Sequence, residues 1–372
     1  MLKEKSLKEF IEILEHWAPS YYAQEFDKVG LLVGDKESMI KGVLISLDTT
    51  EEVLEEALEK ECNLIISFHP ILFKGIQKLT YSSYVECIVA KAIKYNIALY
   101  AIHTNLDHLL GGPHDWIMQK LHLKEVEALF PKNGSMKKLT TYVPLSHLEG
   151  LKQVLFKQGA GQLSSYHHCS FTLEGVGSFQ GDEQSKPFIG EKNKLHTFKE
   201  MALHLFYPSE REKDLIEALR SYHPYQEPII ALYEMPHMYT AGGLGRIGNL
   251  EEPLFVDDFL IYLKEKLNLE GFFYNKKAKE KIKNIQRVAF LGGSGSFAID
   301  RAKDKKAHVF ISADISYHKY FQAYPMILID IGHYPCEEHI PSLILNYLKE
   351  KMPNFVLLCS EKEKNPIGYF RG

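Results

Sequence analysis

The sequence has few cysteines and no excess of positive charge. Its five cysteines, in 372 residues, are odd in number, scattered, and never spaced as C-x-x-C. This pattern argues against a disulfide framework and a cysteine zinc finger, and it favours a reducing compartment. The formal net charge is -4. A chain with that balance has no surplus of cations with which to neutralise phosphates, so nucleic acid is disfavoured as its main partner.

Long apolar runs are also missing. No segment approaches the roughly 18 to 20 apolar residues that a membrane-spanning helix needs. The first residues lead into an amphipathic pattern and not into the apolar core of a signal peptide. We therefore expect a cytoplasmic protein without a membrane partner.

The amino-terminal region has the pattern of an α/β fold. Residues 6–17 have helical spacing, with Ser6 as the expected N-cap. Apolar runs at 43–47 and 64–68 flank a helical pattern at 51–61, which predicts a βαβ unit with a parallel sheet covered on both faces. A helix at 84–95 and a strand at 97–102 are expected to follow.

The carboxy-terminal third repeats this arrangement at an offset of 245 residues. The offset aligns the run at 43–45 with 288–290 and the run at 64–67 with 309–312. It also aligns His69 with Asp314. We interpret the repeat as two similar α/β halves with mainly parallel sheets, whose strand ends face a common cleft.

Between the two halves the pattern changes to that of an inserted domain. Runs with strand or helix spacing follow one another in the order β-α-β-β-α-β, with a glycine-rich excursion predicted at 175–190. That order is the split pattern of a ferredoxin-like α+β domain. We predict a core formed by residues 1–130 and 238–372, and an insert formed by residues 131–237.

Three segments place metal-ligating side chains at the ends of apolar strands. His69 follows one run, and the segment from His103 to Asp107 follows the next. His333 and Glu337 are four residues apart after a third run, so they would share one face of a helix. Neutral imidazoles and carboxylates without cysteine suit zinc, iron or manganese in a site open to water.

With these motifs, the chain resembles the NIF3-like family, whose bacterial members are often labelled GTP cyclohydrolase 1 type 2 homologs. The resemblance spans essentially the whole chain. It rests on Phe26–Asp35, His69–Lys74, His103–Asp107, Leu291–Ser296 and the segment from Gly332 to Glu337. The insert looks like the PII/CutA-like module of the longer members, through segments such as Pro187–Glu191 and His223–Pro228.

The resemblance implies a centre of up to two divalent metal ions and a hexameric assembly. Carried over by position, the implied ligands are His69, Asp107, His333 and Glu337. The family usually has two adjacent histidines before the proline, whereas the first position here is Phe68. The second ion would then bind weakly, use His103 instead, or be replaced by water.

The chemistry expected of such a centre is hydrolysis by metal-activated water. The substrate would be a small nucleotide-like or phosphorylated molecule, and the resemblance implies GTP ring opening as the specific version. We assign His103 to proton transfer, with orientation of Asp107 or replacement of the missing ligand as alternatives, and Asp314 and His318 to substrate contact or proton transfer. Purely structural roles are the other possibility for all three. Gly293, Ser294 and Gly295 are candidates for anion binding, although a tight turn explains the glycines almost as well and the loop lacks the Lys-Ser/Thr ending of a P-loop.

A function of a different class also fits the sequence. In it, the protein is a metal-binding regulatory or ligand-sensing assembly without catalysis. Binding without turnover would favour this hypothesis.

Overall fold

A computed structural model describes residues 5–132, 136–163, 166–235, 242–368 and 370. The chain divides into two compact units, Met1–Pro131 with Gly242–Gly372, and Lys132–Ala241. We refer to them as the core unit and the insert. No helix among the described residues has the length and apolar character needed to cross a bilayer.

The amino-terminal part of the core unit contains seven strands and five helices among the described residues. Its strands are β1 (Lys5–Ser6), β2 (Gly30–Val33), β3 (Met39–Ile40), β4 (Val43–Ser46), β5 (Leu64–Ser67), β6 (Ala98–Ala101) and β7 (Lys124–Pro131). Its helices are α1 (Leu7–Trp17), α2 (Glu51–Glu59), α3 (Tyr84–Lys94), α4 (Thr104–Asp107) and α5 (Pro113–Lys120).

Local signals in the sequence explain where several of these elements begin. The Ser6 hydroxyl accepts the Glu9 N–H, and the Glu9 carboxylate accepts the Ser6 N–H, which forms a capping box at α1. Thr50 and Ser83 accept backbone N–H groups in the same way at α2 and α3. The predicted Ser6 cap and the predicted helices at 51–61 and 84–95 are therefore confirmed, with their carboxy-terminal ends moved by one or two residues.

The insert follows as β8 (Met136–Val143), α6 (Leu145–Lys157), β9 (Ser170–Gln180), β10 (Leu195–Pro208), α7 (Glu212–Tyr222) and β11 (Ile230–Glu234). Its sheet has the order β11-β8-β10-β9, and all neighbouring strands are antiparallel. The predicted glycine-rich excursion from residue 175 is wrong at its start, because Gly175 and Gly177 pair with β10 inside β9. An edge strand tolerates such glycines more easily than a central strand does.

The carboxy-terminal part returns to the core unit with six strands and six helices among the described residues. Its strands are β12 (Gly243–Phe255), β13 (Phe273–Tyr274), β14 (Asn284–Phe290), β15 (Val309–Ser312), β16 (Ile327–Asp330) and β17 (Leu357–Cys359). Its helices are α8 (Val256–Lys266), α9 (Lys276–Lys279), α10 (Ile299–Asp304), α11 (Lys319–Gln322), α12 (His333–Glu337) and α13 (Ile340–Lys351).

Two sheets form the centre of the core unit. The first has the order β17-β4-β5-β6-β2, in which the first four strands are parallel and β2 is antiparallel to β6. The second has the order β13-β16-β15-β14-β12-β7, and only β14, β15 and β16 are mutually parallel. The prediction of mainly parallel sheets is thus right for the first sheet and wrong for the second, which is mixed.

Each sheet also takes one strand from the opposite end of the chain. Strand β7, from the amino-terminal part, completes the second sheet, and β17, near the carboxy-terminal end, completes the first. Strands β4, β5 and β6 are buried along their whole length, as is expected of parallel strands covered on both faces. The exchange of strands ties the two sheets into one unit.

Candidate metal centre

Polar side chains gather where the parallel strands of both sheets end. His69 lies two residues beyond β5, and its backbone N–H donates to the Leu47 carbonyl at 2.8 Å. Phe68, between β5 and His69, is fully buried and anchors the turn. Because ligands collect beyond the carboxyl ends of parallel strands, this edge is the expected place for a site.

The second sheet contributes His333 and Glu337, the first and last residues of α12. Gly332 precedes this helix with a φ of 87°, a left-handed value that glycine adopts at little cost. The helix places the two side chains on one face, and Glu337 Oε2 lies 3.1 Å from His333 Nε2. The predicted i, i+4 pairing of these two residues is confirmed.

His69, His333 and Glu337 form a group that could hold a metal ion. His69 Nε2 is 3.4 Å from His333 Nε2 and 3.2 Å from Glu337 Oε2. Ligands at about 2.0–2.1 Å around a tetrahedral ion are themselves separated by about 3.3–3.4 Å. The three donor atoms therefore have the spacing of one face of a tetrahedral site, and the partial exposure of both imidazoles leaves room for water or substrate.

Two aspartates determine which nitrogen of each histidine faces this group. His69 Nδ1 donates to Asp48 Oδ1 at 2.9 Å, and His333 Nδ1 donates to Asp314 Oδ2 at 2.7 Å. A carboxylate can only accept, so each Nδ1 carries a proton and each Nε2 is the atom available to a cation. Asp48 is itself held through its backbone N–H, which donates to Glu363 Oε1 at 2.6 Å.

The charges in this group favour protonation of His69 and His333 at the nitrogens that would otherwise bind a cation. Burial opposes a charge on His69, but its hydrogen bonds to Asp48 and Glu337 raise its pKa to about 10. The interaction with Glu337 raises the pKa of His333 to about 9. Burial of Glu337 is outweighed by the two histidines, which lower its pKa to about 2. A bound cation would displace the Nε2 protons and leave the Nδ1–H bonds in place.

Asp107 lies at the end of α4, outside this group of three but close to it. Burial, followed by repulsion from Glu337, raises its pKa well above the usual range. Asp107 Oδ1 is 3.6 Å from the Nε2 of His114, a buried residue in the first turn of α5. Metal ligation by Asp107, as predicted from the resemblance, stays a prediction.

His103 follows β6 and is hydrogen-bonded to a residue near the amino terminus. Its Nδ1 donates to Asp27 at 2.9 Å, and Asp27 also accepts the hydroxyl and the backbone N–H of Thr104. Burial would raise the pKa of Asp27, but these bonds, led by the one from His103, lower it to about 2. The His103 ring lies 5.4 Å from the His69 ring, centroid to centroid. The arrangement leaves Nε2 of His103 for proton transfer, and that predicted role stays a prediction.

The glycine-rich loop after β14 passes directly beside Glu337. A Cβ at Gly293, where φ is 61°, would lie 2.8 Å from Glu337 Oε1. The Gly295 N–H donates to the Gly293 carbonyl and to the Ser312 hydroxyl, and the Ser294 hydroxyl donates to Asp314. The loop therefore makes room for Glu337 and supports Asp314, and its role in substrate binding stays a prediction.

Asp314 and His318 differ in their relation to the site. Asp314 adopts a φ of 53° and orients His333, so it acts through another residue in this structure. His318 is exposed, with its ring 5.4 Å from that of Tyr317. Its contacts among the described residues do not include the group of three.

Two residues at the site had no part in the sequence-based prediction. Asp48 lies just beyond β4, so the rule that located His69 could also have found it. His114 follows no strand. Its Nδ1 lies 3.1 Å from the Asp107 carbonyl oxygen and its ring packs against Phe290, and no pattern in the sequence indicates these contacts.

Comparisons with known proteins cover the whole chain. The family model described as Duf34/NIF3 (NGG1p interacting factor 3) matches residues 5–366. A Bacillus subtilis protein called GTP cyclohydrolase 1 type 2 homolog is 34% identical over 99% of this chain and 100% of its own length.

Solved structures give the same result. A Bacillus cereus protein related to NIF3 matches with a TM-score of 0.82 and 30% identity, over 99% of this chain and all of that one. Staphylococcus aureus protein SA1388 matches with a TM-score of 0.74 and 28% identity over the full length of both. The chain therefore belongs to the DUF34/NIF3 family.

Proposed function

We propose that the protein is a divalent-metal-dependent hydrolase that acts on a small nucleotide-like or phosphorylated molecule through metal-activated water. The observation that carries the proposal is the triangle formed by His69 Nε2, His333 Nε2 and Glu337 Oε2, with sides of 3.1 to 3.4 Å. Each imidazole in it is backed by a carboxylate on its other nitrogen, as is usual for metal-ligating histidines.

Cation binding and proton transfer would be carried out by different residues. His69, His333 and Glu337 would hold the ion, with Asp107 close by, while Asp48 and Asp314 fix the imidazoles. When bound, a zinc, iron or manganese ion supplies Lewis acidity and a water of lowered pKa. His103, held by Asp27 through Nδ1, can accept a proton at Nε2 from water or substrate.

GTP ring opening is the specific reaction we propose first. It is supported by the name of the Bacillus subtilis relative, GTP cyclohydrolase 1 type 2 homolog. The loop Gly293, Ser294 and Gly295, together with the exposed His318, would contact the substrate beside the metal group. Full GTP turnover by an Asp107→Ala variant without metal would rule this reaction out.

The test of hydrolysis uses purified full-length protein loaded with Zn²⁺, Fe²⁺ or Mn²⁺. A panel of nucleotides and phosphoesters is incubated with wild type, His333→Ala and, as a control in the insert, His223→Asn. We expect turnover of at least one substrate by wild type and the control, and its loss in His333→Ala. Equal turnover by His333→Ala would contradict the proposal.

A second candidate function is ligand sensing without catalysis, and a cavity in the insert favours it. The cavity is lined by Phe179, Phe188, Phe198 and Tyr225, with Glu200 at its wall. Aromatic walls with a few polar groups are typical of small-molecule sites. If metal-loaded protein shows ligand-induced thermal stabilisation but no turnover with the same panel, sensing is the better description.

Three further proposals concern the location of the protein, its subunit count and its division into a core and an insert. We propose a cytoplasmic homohexamer whose core, residues 1–130 and 238–372, binds metal, and whose insert, residues 131–237, is PII/CutA-like. Light scattering coupled to size-exclusion chromatography would measure the subunit count. A monomer at micromolar concentration would contradict the hexamer.

A further inference from the structure

The cavity in the insert lies on the face of the sheet opposite helices α6 and α7. Those helices pack against the other face, in a core that includes Leu203 of β10. Successive side chains of a strand point to opposite faces, so Phe198 and Glu200 of β10 point away from the helices. A cavity of about 620 Å³ is lined by these two residues and by residues from 181–189 and 225–229. Its volume is in the range of small-molecule sites.

Aromatic rings form walls of this cavity at steep angles to one another. The Phe198 ring lies 5.7 Å from the Phe179 ring, centroid to centroid, with an interplanar angle of 80°. On its other side it lies 6.3 Å from the Tyr225 ring at 89°. The Phe188 ring is 6.4 Å from that of Tyr225. The faces of aromatic rings carry partial negative charge and attract cations, which is how aromatic cages recognise quaternary ammonium groups.

The charged groups of the cavity also favour a positively charged ligand. They are three carboxylates and one ammonium group, from Asp182, Glu200, Glu227 and Lys186. Glu200 Oε2 accepts the Tyr225 hydroxyl at 3.1 Å. Lys199, the residue before Glu200, forms an ion pair with Glu174 at 2.7 Å instead. Within the described structure, Glu200 therefore has a neutral hydrogen-bond partner and no ion pair, and its charge is available to a ligand.

A glycine in β9 makes room for the Glu200 carboxylate. Gly177 pairs with Phe198 and Gly175 pairs with Glu200, so both glycines lie on the cavity face of the sheet. A Cβ at Gly177 would collide with Glu200 Oε1, whereas a Cβ at Gly175 would meet nothing within 4 Å. The carboxylate thus occupies the space that Gly177 leaves free, and it lies on the same face as the Phe198 ring.

We propose that the insert cavity binds a small organic cation, a quaternary or methylated ammonium compound, against the rings of Phe198 and Tyr225 and the carboxylate of Glu200. A hard metal ion fits less well, because ring faces offer it no oxygen ligand. An anion would meet three carboxylates. This inference deepens the second candidate function, ligand sensing, and rests on that candidate because it names a ligand class for the same cavity.

The test titrates full-length, metal-free protein with choline and with 3,3-dimethylbutan-1-ol. The alcohol has the branched shape of choline, with carbon in place of nitrogen and no charge. Broadening of the methyl proton signals of each compound by NMR gives its dissociation constant. Glu200→Gln removes the charge but keeps an oxygen for the Tyr225 hydroxyl. Gly177→Ala displaces the carboxylate, with Gly175→Ala as its matched control, and neither needs a left-handed backbone.

A second pair of variants tests the aromatic wall. Phe198→Leu keeps an apolar side chain and removes the ring face. Phe171→Leu makes the same change at an exposed ring of β9 outside the cavity. Both positions lie on the same face of the sheet, so the pair separates loss of the cavity wall from a general effect on that face.

We expect choline to bind wild type at least about fivefold more tightly than the alcohol, the contribution of one partly exposed cation–π contact. Glu200→Gln, Gly177→Ala and Phe198→Leu should each weaken choline binding by at least about the same factor, whereas Gly175→Ala and Phe171→Leu should bind like wild type. Equal binding of the two compounds, or no binding of choline to wild type at roughly 10 mM, would overturn the proposal. Unchanged choline affinity in both Glu200→Gln and Phe198→Leu would also overturn it.

The titration needs neither a metal ion nor turnover, so it separates this inference from the proposed hydrolysis. Choline binding by a protein that hydrolyses none of the panel would overturn the hydrolase and leave the cation site standing. Turnover by a protein that does not bind choline would do the reverse.

Discussion

Metal binding at His69 and His333 must compete with protons. Their pKa values, about 10 and about 9, lie above the ordinary value of 6.5, so both are protonated in the metal-free protein at neutral pH. The stability that these protons add is complete below pH 6.5 and is lost as pH rises through 9 to 10. A metal ligand must be deprotonated, so the affinity of the two histidines for a cation increases as they lose their protons with rising pH.

We therefore predict that Zn²⁺ binding to metal-free protein releases at least one proton per ion at neutral pH. The apparent affinity should rise steadily between about pH 6 and 8. Calorimetric titrations in two buffers of different ionisation enthalpy give the proton count. A binding enthalpy that is identical in both buffers would contradict the prediction.

The carboxylates behind the imidazoles should matter nearly as much as the ligands. Asp48→Ala removes the acceptor for His69 Nδ1–H, so the ring loses its fixed tautomer and orientation. We expect Zn²⁺ affinity to fall by roughly 10- to 100-fold, as for other outer-shell partners. Competition with a chelating dye measures the change. Asp257→Ala, at a surface ion pair with Lys279, should leave the affinity unchanged.

At the scale of secondary-structure elements, the loop after β14 passes so close to Glu337 that it leaves no room for a side chain at Gly293. Gly293→Ala would place a Cβ 2.8 Å from Glu337 Oε1 at a φ of 61°, where side chains are strained. We expect the carboxylate to be displaced and the affinity for Zn²⁺ to fall. The same dye competition tests this, with Gly271→Ala as the control. Unchanged affinity would mean that Glu337 is not a ligand.

Elements whose signals are local could be predicted from the sequence. Helices α1, α2 and α3 follow from apolar spacing and a capping side chain, and β4 and β5 follow from continuous apolar runs. The passage of β9 through Gly175 and Gly177 could not be predicted, because pairing with β10 overrides the local preference of glycine. The exchange of β7 and β17 between sheets depends on long-range pairing in the same way.

The residues of the candidate site also divide into those that local sequence patterns predict and those that depend on long-range contacts. His69 and His333 follow from the rule that ligands gather beyond strand ends, and Glu337 follows from helical spacing. His114 could not be found in this way, since its contacts are with the Asp107 carbonyl and the Phe290 ring. Such contacts join distant parts of the chain and leave no periodic pattern.

At the scale of the whole molecule, a bound ion would join the two sheets of the core unit. His69 comes from the first sheet, and His333 and Glu337 come from the second. Zn²⁺ free at about 100 times its dissociation constant would add about 2.7 kcal/mol to the free energy of unfolding.

We predict that a chelator lowers the stability of the core unit by about that amount. Both tryptophans, Trp17 and Trp116, lie in this unit, so their fluorescence reports its unfolding in urea. His333→Ala should show no response to the chelator. A wild-type midpoint that stays the same with and without Zn²⁺ would argue that no ion links the sheets.

The order of the donors along the chain has a consequence for biosynthesis. His69 leaves the ribosome 264 residues before His333, and the N–H of Asp48 finds its acceptor only in Glu363. A nascent polypeptide that ends before His333 contains His69 and its partner Asp48, but neither of the other two donors of the group. Cation uptake by this group would then begin only after residue 337 has been synthesised, and a chain terminated before His333 would lack two of its three donors.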